Sequence, residues 1–155
     1  MRLKLKQKVL NLTEMKQMRD KVFLDSNIII YAYSIDEPKK QAIVTNLLNN
    51  HETIVISTQT INEFVNVTTR KKLLNNTQVS TVVDELFSQL FVAVINRDII
   101  QRAIALAYKH RYSYFDCLML ASALTSDCSI LYSEDMHHLH TIEKSLEIIN
   151  PFSNL

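Results

Sequence analysis

Acidic residues stand close behind two predicted β-strands of this 155-residue chain. Asp25 directly follows the apolar run 22–24, and Asp135 follows the run 129–132 after two intervening residues. In open parallel sheets, ligands bind beyond the carboxyl ends of the strands, at the crevice where the strand order reverses. Both carboxylates are therefore candidates for a shared site. Each could instead cap the helix that follows, since aspartate is a preferred N-cap residue.

Two further acids lie in predicted helices. Asp116 belongs to the most apolar helix of the chain, residues 115–124. A carboxylate there is either desolvated, at several kcal/mol, or lines a polar cleft. A place in the first turn of that helix would recover at most about 1 kcal/mol. Glu63 alternates with apolar residues in a helix predicted from Thr60, and its local pattern alone indicates a solvated surface residue.

The elements that must position these acids alternate along the chain. Strands are predicted at residues 22–24, 53–57, 91–95 and 129–132, with 146–149 as a candidate fifth. Helices are predicted at residues 28–33, 38–50, 60 to about 74, 77 to about 90, 98–110 and 115–124. Strands without polar alternation, followed by helices, favour a mostly parallel sheet of four to five strands in a three-layer α/β/α domain. We assign residues 21–155 to this domain and residues 1–20 to a basic N-terminal extension.

Composition excludes several classes of site. The chain has no glycine, so it cannot contain a Walker loop, a dinucleotide-binding fingerprint or the serine elbow of α/β-hydrolases. Phosphate would have to be bound through metals or basic side chains. The only two cysteines, Cys117 and Cys128, are expected to be buried free thiols. With neither an export signal nor an apolar run long enough to span a bilayer, the sequence predicts a cytoplasmic protein without membrane contact.

Four segments resemble, in order and in spacing, the motifs of the PIN-domain family. Segment 22–32, with its Asp25-Ser26-Asn27 sequence, resembles the first motif, and segment 57–64 with Glu63 resembles the second. Segment 112–124 with Asp116 is similar to the third, and segment 131–136 with Asp135 is similar to the fourth. The likeness covers residues 21–152 and points to the VapC toxins, ribonucleases of type II toxin–antitoxin systems. It implies a PIN-like α/β/α fold.

The resemblance also implies a chemistry. Asp25, Glu63, Asp116 and Asp135 would converge, and a divalent cation would offset their mutual repulsion. Carboxylate oxygens suit Mg²⁺ or Mn²⁺. Such an ion can activate water and stabilise charge on the scissile phosphate. We therefore expect these four residues to be both catalytic and metal-binding, in an endoribonuclease that leaves 5′-phosphate and 3′-hydroxyl ends.

Supporting roles are predicted around the four acids. Asn27 would orient Asp25 or a metal-bound water, and Ser133 would do the same near Asp135, although both residue types are also common in ordinary turns and caps. A basic run could contact the RNA backbone or form a solvated helix end. That run consists of Arg70, Lys71 and Lys72. Glu134, adjacent to Asp135, is expected to face elsewhere.

The resemblance implies partners as well: an RNA substrate such as tRNA or rRNA, a small antitoxin protein and a second copy of the chain in a homodimer. Two departures from the family pattern concern loops. Ser126 and Asp127 stand where family members often have glycine, and the segment 137–140 contains three histidines. Those histidines lack the spacing of common zinc sites.

Other functions stay open at this point. The chain could be an inactive PIN-fold binding module, or a housekeeping RNA-processing nuclease without an antitoxin. A phosphatase with an aspartate nucleophile is disfavoured, because the second aspartate that such enzymes need is replaced by Asn27.

Overall fold

The computed structural model describes residues 21–155. These residues form a single mixed β-sheet covered by helices. The strands are β1 (Lys21–Leu24), β2 (Thr53–Ser57), β3 (Phe91–Ala93), β4 (Ile130–Tyr132), β5 (Thr141–Ile142) and β6 (Leu146–Ile149). The helices are α1 (Ser26–Ala32), α2 (Pro38–Asn50), α3 (Thr58–Arg70), α4 (Asn76–Gln89), α5 (Arg97–His110) and α6 (Tyr114–Thr125). The predicted basic extension, residues 1–20, lies outside the described residues.

The sheet has the strand order β3-β2-β1-β4-β6-β5. Every pair of neighbours is parallel except β5 and β6, which are antiparallel. The prediction of a mostly parallel sheet is therefore confirmed, with six strands instead of four to five. The additional strand, β5, has only two residues, too few to show a periodic pattern in the sequence. The strand order reverses between β1 and β4, the central pair.

Helices cover both faces of the sheet, which confirms the three-layer architecture. Along β1, Val22 and Leu24 point into a core shared with α1 to α4, whereas Phe23 points into a second core shared with α5 and α6. All three side chains are fully buried. Because side chains alternate across a strand, a strand buried on both faces must be apolar throughout, as the run 22–24 is.

Side-chain caps and a left-handed residue at the helix ends explain why some boundaries differ from the predicted ones. Helix α1 begins at Ser26, two residues earlier than predicted, because the Asp25 side chain caps it. Helix α3 begins at Thr58 with a reciprocal capping box between Ser57 and Thr60. It ends at Arg70 rather than near residue 74, since Lys72 adopts a left-handed conformation with φ of 54°.

Left-handed residues replace glycine at several turns of the described chain. Arg111 caps the C-terminus of α5 with φ of 58°, and Asp127 follows α6 with φ of 57°. Asp127 stands where the family pattern often has glycine, and aspartate is among the residues that tolerate this conformation. The loop before β4 therefore keeps a glycine-like backbone without a glycine.

The thiols and the hydropathy of the helices complete the description of the fold. Cys117 and Cys128 are free and buried, as predicted. None of the helices in residues 21–155 is long and apolar enough to cross a membrane.

Candidate active site

Asp25 lies at the switch point of the sheet, immediately after β1. Its backbone N–H donates to the carbonyl of Tyr132 at the end of β4 over 3.0 Å. Its side chain is only 5% exposed and accepts hydrogen bonds from the Ser26 backbone N–H at 2.7 Å and from the Ser133 hydroxyl at 2.6 Å. Asp25 is thus a helix cap, the conservative expectation, and also the most enclosed carboxylate of the candidate site.

The surroundings of Asp25 oppose its ionisation. Burial raises the pKa of Asp25 from 3.8 to about 6, against the lowering effect of the hydrogen bonds from Ser133 and Ser26. Burial is the largest cause of this rise, and the negative charges of Glu63 and Asp116 also contribute to it. The N-cap residue of α1 and one residue each of α3 and α6 therefore lie near enough to influence one another electrostatically.

Glu63 is connected to Asp25 through Ser26. The Ser26 hydroxyl donates to Glu63 Oε2 at 2.6 Å and lies 3.4 Å from Asp25 Oδ1. The other oxygen, Glu63 Oε1, accepts from the Gln59 amide at 2.9 Å. Sequence reasoning missed Ser26 and Gln59. The position of Ser26 between Asp25 and Asn27, in the first turn of α1, was the one available signal.

Asp135 is exposed and connected to the buried carboxylate by Asn27 and Ser133. The Asn27 amide nitrogen donates to Asp135 Oδ2 at 2.9 Å and lies 3.5 Å from Asp25 Oδ2. The Asp135 backbone N–H donates to the Ser133 hydroxyl oxygen at 3.2 Å. The two predicted supporting residues thus contact both aspartates.

Asp116 lies in the first turn of α6, whose N-cap is Ser113. The Ser113 hydroxyl donates to Asp116 Oδ2 at 2.7 Å and accepts from the Asp116 backbone N–H at 3.1 Å. The carboxylate is partly exposed, while the helix from Cys117 to Leu124 is buried. Of the two alternatives for Asp116, a polar cleft therefore describes its surroundings better than full desolvation.

The predicted basic run divides between two surfaces. Lys71 borders a cleft of about 400 Å³ that is also lined by Asn27 and Asp135. It lies two helical steps of four residues after Glu63, on the same side of the helix as Val67, which lines the cleft too. Arg70 borders a separate depression on α3, and Lys72 is exposed in the turn that follows. Lys71 is the member of the run that shares a cleft with Asp135.

The ligand types at this site suit a hard divalent cation, because the available donors are carboxylate, hydroxyl and amide oxygens. Within residues 21–155, no group of three or more histidine, cysteine, aspartate or glutamate side chains is arranged to hold a metal ion. Mg²⁺ commonly binds through one or two carboxylates, with water and substrate phosphate completing its shell. A pair drawn from Asp25, Glu63, Asp116 and Asp135 fits that description.

Fold and site together define a three-layer α/β/α domain with acidic residues at the switch point of its sheet. The family model of the PIN domain matches residues 22–143. The chain belongs to the PIN domain family, which confirms the resemblance seen in the sequence. No curated protein matches the chain.

Solved structures share this fold at low sequence identity. A toxin–antitoxin complex from Klebsiella pneumoniae has a TM-score of 0.62 and 18% identity, covering 84% of this chain and 97% of that one. VapC20 of Mycobacterium tuberculosis, described as a toxin that cleaves the sarcin–ricin loop, has a TM-score of 0.62 and 14% identity, covering 74% and 91%. VapBC2 of Rickettsia felis, bound to a fragment of its promoter DNA, has a TM-score of 0.61 and 18% identity, covering 84% and 99%. The fold is that of VapC-like PIN domains, and family membership supports a nuclease.

Proposed function

We propose that this protein is a Mg²⁺- or Mn²⁺-dependent endoribonuclease that acts as the toxin of a toxin–antitoxin pair. The observation that carries the proposal is the enclosure of Asp25 at the switch point, within reach of the charges of Glu63 and Asp116. Asn27 joins Asp135 to the same group. A carboxylate buried beside other carboxylates is destabilising unless a cation or proton balances it. Such an arrangement is typical of a functional site.

The side chains of the site have separable tasks. When bound, a divalent ion supplies an activated water and neutralises charge on the phosphate. A pair among Asp25, Glu63, Asp116 and Asp135 would hold it, with water and phosphate oxygens completing its shell. Ser26 fixes Glu63 against Asp25, and Ser133 fixes Asp25 from the β4 side. Lys71, at the rim of the cleft, would contact the RNA backbone. Arg70 and Lys72 lie outside the cleft and would contact phosphates further along the RNA strand.

The partners follow from the family and from the solved relatives. The Klebsiella and Rickettsia structures are toxin–antitoxin assemblies, which supports an antitoxin for this chain. VapC20 is described as a toxin that cleaves the sarcin–ricin loop, which supports an RNA loop as the substrate class here, in rRNA or tRNA as the family resemblance implies. A homodimer and a cytoplasmic location belong to the same proposal. An open reading frame for a small DNA-binding protein beside this gene is the expected genomic arrangement, and its absence would favour the housekeeping nuclease.

The test is RNA cleavage by the purified chain in Mg²⁺ and in Mn²⁺, compared with Asp116→Asn and Asp98→Asn. Both aspartates lie in the first turn of a helix, so Asp98→Asn is a matched control away from the site. We expect Asp116→Asn to lower cleavage by about 100-fold or more, because changes to the outer shell of metal sites alone reach 10–100-fold. Asp98→Asn should cleave like the wild type, and products should carry 5′-phosphate and 3′-hydroxyl ends.

Two results would contradict the proposal. Equal cleavage by Asp116→Asn and the wild type would exclude Asp116 from the reaction and contradict the assignment of the four carboxylates to one site. Failure of the wild type to cut diverse RNAs with either ion would favour the inactive binding module.

A further inference from the structure

Glu134 is held by side chains of two helices, α1 and α2. Its carboxylate forms an ion pair with Lys40 of α2 and accepts a hydrogen bond from the Tyr31 hydroxyl of α1 at 2.5 Å. The Lys40 ammonium also donates to Tyr31 Oη at 2.9 Å and lies 4.3 Å from the centre of that ring. These contacts join a segment after β4 to residues about a hundred positions earlier in the chain, as the separations of 94 and 103 residues indicate. As expected, Glu134 does not share the orientation of its neighbour Asp135.

The backbone of Glu134 contacts the residue that bridges the two aspartates. Its N–H lies 3.4 Å from Asn27 Oδ1 and donates to it, while Asn27 Nδ2 donates to Asp135 Oδ2 at 2.9 Å. An asparagine amide has one accepting oxygen and one donating nitrogen. In the reverse orientation, the nitrogen would face the Glu134 N–H and the oxygen would face the Asp135 carboxylate. The Glu134 backbone therefore favours the orientation in which Asn27 can donate to Asp135.

We propose that Lys40 and Glu134 are positioning residues that hold the segment 133–136 so that Asn27 and Asp135 keep this orientation. The ion pair anchors the segment to α2, the N–H of the anchored residue sets the amide of Asn27, and that amide fixes Asp135. The effect on catalysis rests on the proposed function, whereas the effect on Asn27 does not.

The surroundings of the pair explain why it matters more than an ordinary surface ion pair. Exposed pairs typically contribute little, because water screens them and both side chains must be ordered. Here the side chains of Lys40 and Glu134 are 18% and 27% exposed, and Tyr31 contacts both. Without Lys40, a half-buried negative charge would remain one residue from Asp135 and would be drawn towards water. The segment would then lose its fixed distance from Asn27.

The experiment compares Lys40→Met with Lys39→Met, which removes the same charge from the exposed neighbouring position of the same helix. The first readout is the pair of side-chain amide NMR signals of Asn27, measured without metal or RNA. We expect these signals to shift in Lys40→Met, to stay in place in Lys39→Met and to return towards their wild-type positions in Lys40→Arg. A stability measurement on each variant confirms that it is folded.

The second readout is RNA cleavage. We expect kcat to fall by about tenfold to a hundredfold in Lys40→Met, since small misplacements of catalytic groups have effects of that size. KM should change by less than about twofold, because Lys40 is not among the residues lining the cleft. Lys39→Met should retain wild-type kcat.

The outcomes separate this inference from the proposed function. Unchanged Asn27 signals in folded Lys40→Met would overturn the positioning role, whether or not the wild type cleaves RNA. If the Asn27 signals shift in Lys40→Met but the wild type cleaves no RNA, the positioning role is supported and only the proposed nuclease activity is contradicted. If Lys40→Met does not fold, Glu134→Gln gives the same test. That variant keeps an acceptor for Tyr31 and removes only the charge that pairs with Lys40.

Discussion

Two serine–aspartate pairs at the site have the same chemistry in different surroundings. Ser133 donates to Asp25 at 2.6 Å in the interior, and Ser113 donates to Asp116 at 2.7 Å at the open N-terminus of α6. Asp25 is 5% exposed, and burial raises its pKa to about 6, whereas Asp116 borders solvent. The hydrogen bond is nearly identical, so the difference between the pairs comes from the environment.

This difference indicates a division of labour within the site. The interior pair places a carboxylate where its charge is unfavourable, which lowers stability and, under the proposed function, would strengthen the attraction of Asp25 for a divalent cation. The open pair places a second carboxylate where ligands can reach it. Substitutions in one pair at a time therefore test whether the two pairs have different roles.

The largest expected effect is on the free energy of unfolding. It compares Asp25→Asn with Asp116→Asn in buffer without divalent ions. Because the pKa of Asp25 is raised from 3.8 to about 6, the folded protein binds this proton more tightly than the unfolded chain does. Its contribution to stability is thus fully present below pH 3.8 and is lost as the pH rises to about 6. Asparagine cannot ionise, so Asp25→Asn should be more stable by up to about 3 kcal/mol above this range, with the gain vanishing near pH 4.

Urea unfolding as a function of pH measures this effect. Asp116→Asn is the comparison, and we expect it to change the free energy of unfolding by less than about 0.5 kcal/mol. Equal stabilities of Asp25→Asn and the wild type across the pH range would mean that Asp25 carries no electrostatic penalty.

A smaller effect is expected when each serine is replaced by alanine. Ser133→Ala leaves a buried carboxylate oxygen with one donor fewer, which should destabilise the fold by about 1–3 kcal/mol. It should also raise the pKa of Asp25 above its present value of about 6. Ser113→Ala removes a helix cap and should cost about 1 kcal/mol without moving the Asp25 titration.

Carboxyl carbon NMR of Asp25 as a function of pH distinguishes the two serine variants. A titration midpoint that moves equally in Ser113→Ala and Ser133→Ala would show that the two pairs are electrostatically one unit and that their different environments do not separate them.

The smallest effect concerns the backbone next to the open pair. Arg111, two residues before Ser113, has φ of 58°, a conformation that is unfavourable for residues with a side chain. We expect Arg111→Gly to raise the free energy of unfolding by about 0.5–1 kcal/mol and the midpoint of thermal unfolding by about 2 °C. The Asp25 titration should stay unchanged. A decrease in stability would mean that the arginine side chain contributes more than its backbone costs.

Features that depend on one continuous segment of the chain could be predicted from the sequence. The apolar run 22–24 predicted a doubly buried strand, and Asp25 directly after it was placed at the switch point without any tertiary information. The helix 38–50 was predicted with the bounds that the structure has, since Pro38 marks its first residue.

Other features depend on contacts between distant segments, and local pattern could not predict them. Glu63 has the pattern of a surface residue, and its place beside Asp25 results from the packing of α3 against α1. Lys71 and Arg70 are adjacent in sequence, yet only Lys71 borders the cleft, because the helical turn directs them to different sides. The ion pair of Lys40 and Glu134 likewise joins segments whose proximity only the fold creates.

A chain of 155 residues without glycine also differs from most proteins before it folds. Glycine gives an unfolded chain its greatest freedom of rotation, so this denatured ensemble is stiffer and loses less entropy on folding. In return, residues such as Asp127, Leu139 and Lys144 must adopt left-handed turns in the native state. The chain thus loses less conformational entropy on folding, and its folded state carries backbone strain at these turns instead.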